Sequence, residues 1–179
     1  MFIEAENIIV RDLKKGDEKN LYRITREADV RRYMPNYSDG YATPEDYLND
    51  PDFFRKHGDD VADIRAGRYC AVSLSVSDEM IGVIAYGLKE TLNEIEIGYF
   101  ISDRHRGKGY AEQAINALTE WIFDISDIPY LIATVLCGNL PSNNLLKKCK
   151  FELTEKRIPT DCGEFSEDKS YFYYRRYRA

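Results

Sequence analysis

The sequence predicts an α/β chain, more strictly α+β, with one mixed sheet flanked by helices in the order β-α-α-β-β-β-α-β-α-β-β. Three observations lead there. Between Glu94 and Glu120 the chain reads strand, glycine turn, helix. Ile95, Ile97, Tyr99 and Ile101 alternate with Glu94, Glu96, Gly98 and Phe100, and beyond the turn Ala111, Ala114, Ile115, Leu118 and Ile122 recur at helical spacing. Upstream, Tyr69–Val76 and Met80–Leu88 alternate on either side of Ser77-Asp78-Glu79, which is the pattern of a hairpin. Downstream, Leu131–Leu136 is an apolar run that a crossover helix can lay parallel to the strand at Glu94. At 179 residues the chain is expected to form one domain, residues 1–179, with a substantial core.

The remaining elements follow in order. Ile8–Leu13 is a short strand, expected at a sheet edge. Asp17 is placed to cap a helix carrying Leu21 and Ile24 on its buried face. Val30–Gly40 contains Pro35 and a Ser-Asp-Gly turn and reads as loop. Thr43-Pro44-Glu45-Asp46 is a helix start, with a capping hydroxyl, proline at the first helical position and acid in the first turn. That helix carries Tyr47, Leu48, Phe53 and Phe54, with Pro51 kinking or dividing it. His57 then reads as a capping or solvated residue. Asp59, Asp60 and Asp63 read as a solvated acidic face, or alternatively as a rim that attracts cations. In the hairpin, Gly82 and Gly87 indicate a bulge or a close neighbour on the second strand. Past the central helix, Ser142 is expected to start a helix over 143–150. Phe151–Ile158 and Ser170–Tyr177 close the fold as strands joined by Pro159–Asp168. The Tyr- and Arg-rich end fits a strand packed on the sheet, and a homodimer contact is the alternative use of the same side chains.

Composition removes several classes of function. Hydrophobic residues at 44% and charged ones at 31% describe a globular chain, and no apolar run approaches the ~20 residues of a membrane span. The acidic start, Met-Phe-Ile-Glu-Ala-Glu, does not resemble a signal peptide, so a cytoplasmic location with no membrane partner is expected. Cys70, Cys137, Cys149 and Cys162 lack Cys-x-x-Cys spacing, and the only histidines are His57 and His105. Neither a metal site nor a Ser-His-Asp machine is expected, and the thiols read as buried and free. A net charge of −6 argues against a nucleic-acid partner and mildly favours cationic ones such as amines.

The turn from Arg104 to Gly109 is basic and punctuated by two glycines at the mouth of a helix. Glycines let the backbone approach a ligand, first-turn N–H groups have no partner inside the helix, and the helix dipole adds positive potential. A phosphate or diphosphate suits such a cradle, and Arg106 and Lys108 add charge to it. The turn is neither the Gly-x-Gly-x-x-Gly fingerprint, because Glu112 stands where the third glycine would, nor a P-loop. A plain connecting turn is the alternative.

The string Glu96–Leu118 resembles the acyl-CoA-binding signature of the GNAT superfamily of N-acetyltransferases. Within it the string is similar to the branch holding ribosomal-protein N-terminal acetyltransferases and spermidine acetyltransferases. A second block, Asn139–Phe151, resembles that branch's Asn-x-x-Ser/Ala block, and the likeness spans roughly Met80–Tyr177. The resemblance implies a GNAT-like acyl-CoA N-acyltransferase fold and acetyl-CoA as cosubstrate. It places the pantetheine arm along Tyr99, Phe100 and Ile101 and the diphosphate on Arg106, Gly107, Lys108, Gly109, Tyr110, Ala111 and Glu112. Asn139, Ser142 and Asn144 would complete the cofactor contacts. Asn139 and Ser142 also have a purely structural reading, as turn and helix N-cap.

Acetyl transfer from a thioester to an amine needs a base for the ammonium, donors for the oxyanion and an acid for the thiolate. Glu94 and Glu96 share one face of their strand and are the base candidates, Glu96 the preferred one because it lies nearer the implied thioester. Ordinary polar-face residues are the alternative for both. Related enzymes often carry a tyrosine as acid where this chain has Leu146, so the acid falls to Ser142, to a nearby tyrosine such as Tyr110, or to water. Lys150 replaces the usual glycine before Phe151, which alters a helix cap. The expected activity is acetyl transfer to a primary amine, whether a protein N-terminus, a polyamine or another small amine. A silent acyl-CoA-binding sensor or partner module is the alternative.

Overall fold

The computed structural model describes residues 1–50, 63–157 and 170–178. Among these residues eight strands form one mixed sheet in the order β1-β2-β3-β4-β5-β6-β8-β7. They are β1 (Phe2–Glu4), β2 (Ile8–Asp12), β3 (Arg68–Leu74), β4 (Met80–Lys89), β5 (Glu94–Ile101), β6 (Tyr130–Leu136), β7 (Glu152–Arg157) and β8 (Tyr171–Tyr177). The helices are α1 (Glu18–Thr25), α2 (Ala28–Tyr33), α3 (Pro44–Asn49), α4 (Tyr110–Ile125) and α5 (Leu140–Lys148), with single 3₁₀ turns at Pro35–Tyr37 and Asp103–His105.

Period-2 alternation in β2–β6 creates two apolar faces, and each is covered. Ile8, Val10, Val72, Ile84, Ile95 and Ile97 pack against Ala114, Ile115, Leu118 and Ile122 of α4 and Leu146 of α5. Ala71, Val83 and Phe100 on the reverse face pack against Leu21, Ile24, Val30 and Tyr47 of α1–α3. Burying a side chain of this kind contributes about 1.5–3 kcal/mol, so the α4 stripe anchors the helix whose first turn forms part of the site.

Several expectations are corrected. β2 is not an edge strand: β1 pairs with it antiparallel from Phe2↔Arg11 to Glu4↔Ile9. Asp17 does not cap α1 through its side chain. Its carboxylate instead receives the buried Arg11 guanidinium at 2.7 and 3.0 Å and the Lys14 amide at 2.9 Å, because a buried arginine requires a paired acceptor. The segment read as loop contains α2 and a 3₁₀ turn, with Val30 buried against the core. α5 starts earlier than expected, with Pro141 in its first turn, and its N-cap is Asn139, whose side chain accepts from the Ser142 amide at 3.3 Å. Lys150, expected inside that helix, lies beyond it at φ +62°. Phe151 N–H then closes on Leu146 C=O at 3.0 Å, the 6→1 bond of a Schellman cap.

Other expectations hold. Asp46 accepts from the Thr43 amide at 2.7 Å at the start of α3. Gly82 has a close neighbour, since a Cβ there would meet Phe100 O at 2.3 Å, and the β3–β4 register shifts between Val72 and Ser73 opposite it. Asp63 is exposed and accepts from the Arg65 amide at 2.9 Å within its own turn. Pro51, Phe53, Phe54, His57, Asp59, Asp60, Ile158, Cys162 and the Pro159–Asp168 connection lie outside the described residues. Among the described residues no helix is long and apolar enough to cross a membrane.

Candidate functional site

The site begins where the sheet stops being continuous. β4 and β5 pair over eight registered residues, from Gly82↔Ile101 to Lys89↔Glu94, whereas β5 and β6 share the single parallel pair Glu96↔Ile132. β6 pairs instead with β8 over seven residues on its far side. Beyond Glu96 the two strands part, so the β6-facing backbone of β5 has no strand partner among the described residues. Unpaired strand N–H and C=O groups invite an extended ligand to pair with them. Between the strands lies a cleft of about 520 Å³.

One end of this cleft is the first turn of α4. Gly107 and Gly109 have φ +72° and +80°, values that suit glycine, and Gly109 is the N-cap of α4. Nothing lies within 4 Å of a Cβ built on Gly107, so the backbone is open to a ligand there. Gly107, Gly109, Tyr110, Ala111 and Glu112 line the cleft along with Arg106, Tyr99, Phe100, Ile101, Asn139 and Ser142. Lys108 and Asn144 are exposed and not among the lining residues, so the structure does not bring them into the group. Arg106 supplies less free charge than the sequence suggests. Its Nε donates to Ile101 O at 3.0 Å, and Nη1 contacts Asp29 at 2.6 Å and Asp103 at 2.7 Å. Arg106 therefore ties the turn to α2, and the main-chain amides with the helix dipole remain the anion-attracting elements.

A hydroxyl pair projects from the opposite wall. Tyr99 OH lies 2.7 Å from Ser142 Oγ. This contact exists because Asn139 caps α5 and leaves the Ser142 hydroxyl free. Burial pushes the Tyr99 phenol pKa up, against the opposing effect of the Ser142 hydrogen bond, so the phenol stays protonated at neutral pH. Leu146 is fully buried and Tyr110 lines the cleft. Asn143, which sequence reading passed over, is the buried staple behind this wall. Its amide donates to Leu136 O, Cys137 O and Asn139 O at 3.1, 3.3 and 2.8 Å and accepts from Tyr174 OH at 2.8 Å.

The two carboxylates of β5 meet different surroundings. Glu94 accepts from Tyr173 OH at 2.6 and 2.7 Å, from Tyr130 OH at 2.9 Å and from Arg175 at 3.0 Å. Burial alone would raise its pKa, but the donors, led by Tyr173, outweigh it and hold the carboxyl below the usual glutamate range. Such a carboxylate is a weak base with its lone pairs engaged. Glu96 is bound by Lys89 Nζ at 2.9 and 3.0 Å and by the Thr134 hydroxyl. It lines a second cavity, of about 490 Å³, with Tyr37, Tyr69, Ala85 and Lys89. Glu96 thus stands between the two spaces, because Thr134, which donates to it, lines the first. Lys89, Thr134, Met34 and Tyr37 went unnoticed in the sequence; one strand-end lysine or one threonine carries no pattern until the strands are paired.

Among the described residues the cysteines are free thiols. Cys70 and Cys149 are buried and free, and burial pushes the Cys149 thiol pKa up to about 12. Cys137 is half-buried at the end of β6. Among the described residues no group of His, Cys, Asp or Glu is arranged to hold a metal ion.

A sheet parted beside a glycine-capped helix defines a class of protein that recurs among known ones. Residues 7–152 match the family model described as acetyltransferase (GNAT) domain. The chain is 28% identical over 148 residues to the uncharacterized N-acetyltransferase YnaD of Bacillus subtilis, covering 83% of this chain and 81% of that one. The fold superimposes on a GNAT-family acetyltransferase of Bacillus anthracis with a TM-score of 0.75 at 24% identity, over 99% of this chain and 98% of the other. It also superimposes on RimL, a ribosomal alpha-N-protein acetyltransferase in complex with coenzyme A, with a TM-score of 0.73 at 18% identity, covering 99% and 98% of the two chains. The chain belongs to the GNAT acetyltransferases, and it is an N-acetyltransferase.

Proposed function

We propose that the protein transfers an acetyl group from acetyl-CoA to a primary amine by direct attack on the thioester. One observation carries this reading. The gap opened by the lone Glu96↔Ile132 pair runs continuously to the left-handed Gly107 and Gly109 at the α4 N-terminus. A pantetheine arm pairs with an open strand edge, and a diphosphate suits the unpaired amides of a helix start, so one cleft offers both halves of a coenzyme A site. The neighbour RimL is described in complex with coenzyme A, which supports the same reading here.

The residues then divide the work as follows. Glu96 takes the proton of the acceptor ammonium, with Thr134 steadying the carboxylate and Lys89 displaced or retained as its counter-ion. The amine nitrogen forms its bond to the acyl carbon, the carbon–sulfur bond breaks, and the nitrogen's second proton passes to Ser142, replacing the one that the hydroxyl gives to sulfur. β5 main-chain amides stabilise the oxyanion in between. Ser142 donates a proton to the departing thiolate, its hydroxyl held by Tyr99. Glu94 acts as a structural anchor for β8. Acceptors of the protein N-terminus class are supported by the similarity to a ribosomal alpha-N-protein acetyltransferase. Calorimetry with acetyl-CoA, followed by coenzyme A release over a panel of short peptides, polyamines and other amines, tests the reading. Saturable binding and turnover with at least one amine are expected, and absence of both overturns it.

A further inference from the structure

The two cavities share two residues. Met34 and Gly98 line both the 520 Å³ cleft between β5 and β6 and the 490 Å³ cavity that holds Glu96. Gly98 leaves the sheet surface bare at that point, and the Met34 side chain covers it: a Cβ built on Gly98 would lie 3.5 Å from Met34 Cε. Met34 reaches this position from the end of α2, where its φ of −141° and ψ of 57° leave the helix before the Pro35–Tyr37 turn. Its partly buried side chain packs on the cluster containing Phe100, Val83 and Val30.

This inference rests on the acetyl-transfer reading above. A donor carbonyl in the first cavity and an acceptor nitrogen beside Glu96 in the second meet where the two spaces adjoin, and among the described residues Gly98 and Met34 line both. The acyl chain of the donor must therefore end against the methionine. We propose that Met34 sets the acyl-chain length the enzyme accepts. Its thioether end accommodates an acetyl group beside Gly98 and blocks longer chains from passing into the second cavity. The space beyond it, 490 Å³, is far larger than a few methylenes need. The barrier is thus one side chain and not the wall of the fold. Methionine is flexible, so the limit is graded, and added methylenes are penalised by overpacking and not by an absolute stop.

The test measures binding of coenzyme A, acetyl-CoA, butyryl-CoA and hexanoyl-CoA by calorimetry, with no acceptor required, and coenzyme A release with any amine found active. Wild type is expected to bind butyryl-CoA about tenfold or more weakly than acetyl-CoA, the scale that one or two methylenes produce in a shaped pocket. In Met34→Ala the butyryl-to-acetyl ratio of binding, and of kcat/KM, is expected to rise about tenfold. Met34→Leu, which retains bulk and guards against a folding defect, is expected to keep the wild-type ratio. Equal affinity of wild type for acetyl and butyryl donors, or a ratio unmoved in Met34→Ala, overturns the assignment and leaves acetyl transfer intact. Failure to bind coenzyme A or any of its thioesters overturns the donor site itself and the assignment with it.

Discussion

Two residues at the start of β5, Glu94 and Glu96, carry the same side chain on the same face, yet they meet different surroundings. At Glu94 the neighbouring strands are close, and Tyr130 of β6 with Tyr173 and Arg175 of β8 surround the carboxylate with donors. At Glu96 the sheet is about to divide, so the carboxylate has one lysine and one hydroxyl and faces open space. A carboxylate in a closed sheet becomes a cross-strand joint. The same group two residues on, at the edge of a gap, meets fewer donors and faces the second cavity.

Substitutions at each glutamate can break this contrast. Glu96→Gln is expected to lower kcat by about 10²–10⁴-fold, the usual range for a lost general base, with acetyl-CoA affinity little changed. Steady-state kinetics with calorimetry checks it, and an unchanged rate would remove Glu96 as base. Glu94→Gln should act on stability, by about 1–3 kcal/mol for charge-assisted hydrogen bonds weakened at a partly buried site. Its pH dependence has a definite sign. The folded-state pKa is depressed below the ordinary glutamate value of 4.5, so this stabilisation is present above that value and is lost as pH falls through the folded one. Denaturant titrations of wild type and Glu94→Gln should therefore converge as pH falls below the ordinary glutamate value and through the depressed folded one. A stability difference that persists into acid would contradict the account.

Smaller effects sharpen the opposite wall of the gap. Ser142→Ala is expected to slow turnover by about tenfold or more, and Tyr99→Phe by less, because the phenol acts through the serine hydroxyl. Equal or reversed effects would make Tyr99 the direct donor. The smallest effect lies behind that wall. Lys150→Gly should raise stability by about 1 kcal/mol, since a left-handed residue other than glycine carries strain of that order, with kinetics unaltered. Thermal or chemical melts decide it.

Much of this architecture was legible before any coordinates. The Ile95–Ile101 alternation, the α4 stripe and the glycine turn each depend on neighbours in sequence, and each appears where the spacing placed it. Local chemistry misled where a side chain had a distant partner. Asp17 has the sequence of a cap and serves Arg11; Ser142 has the sequence of a cap and faces Tyr99. The Lys108 side chain is exposed between two glycines that line the cleft, while Arg106 is drawn away by Asp29 and Asp103.

By itself the sequence determined the strand and helix periods, the two glycines at the mouth of α4 and the choice of two glutamates on one strand face. These follow from bond geometry and from the burial of apolar side chains, which act over a few residues. Tertiary structure alone decided that β5 and β6 touch at one pair, that Glu94 is enclosed and Glu96 is not, and that Met34 lies across Gly98. Those outcomes depend on contacts between segments tens of residues apart, and a hydrogen bond or a gap exists only once both sides have been brought together.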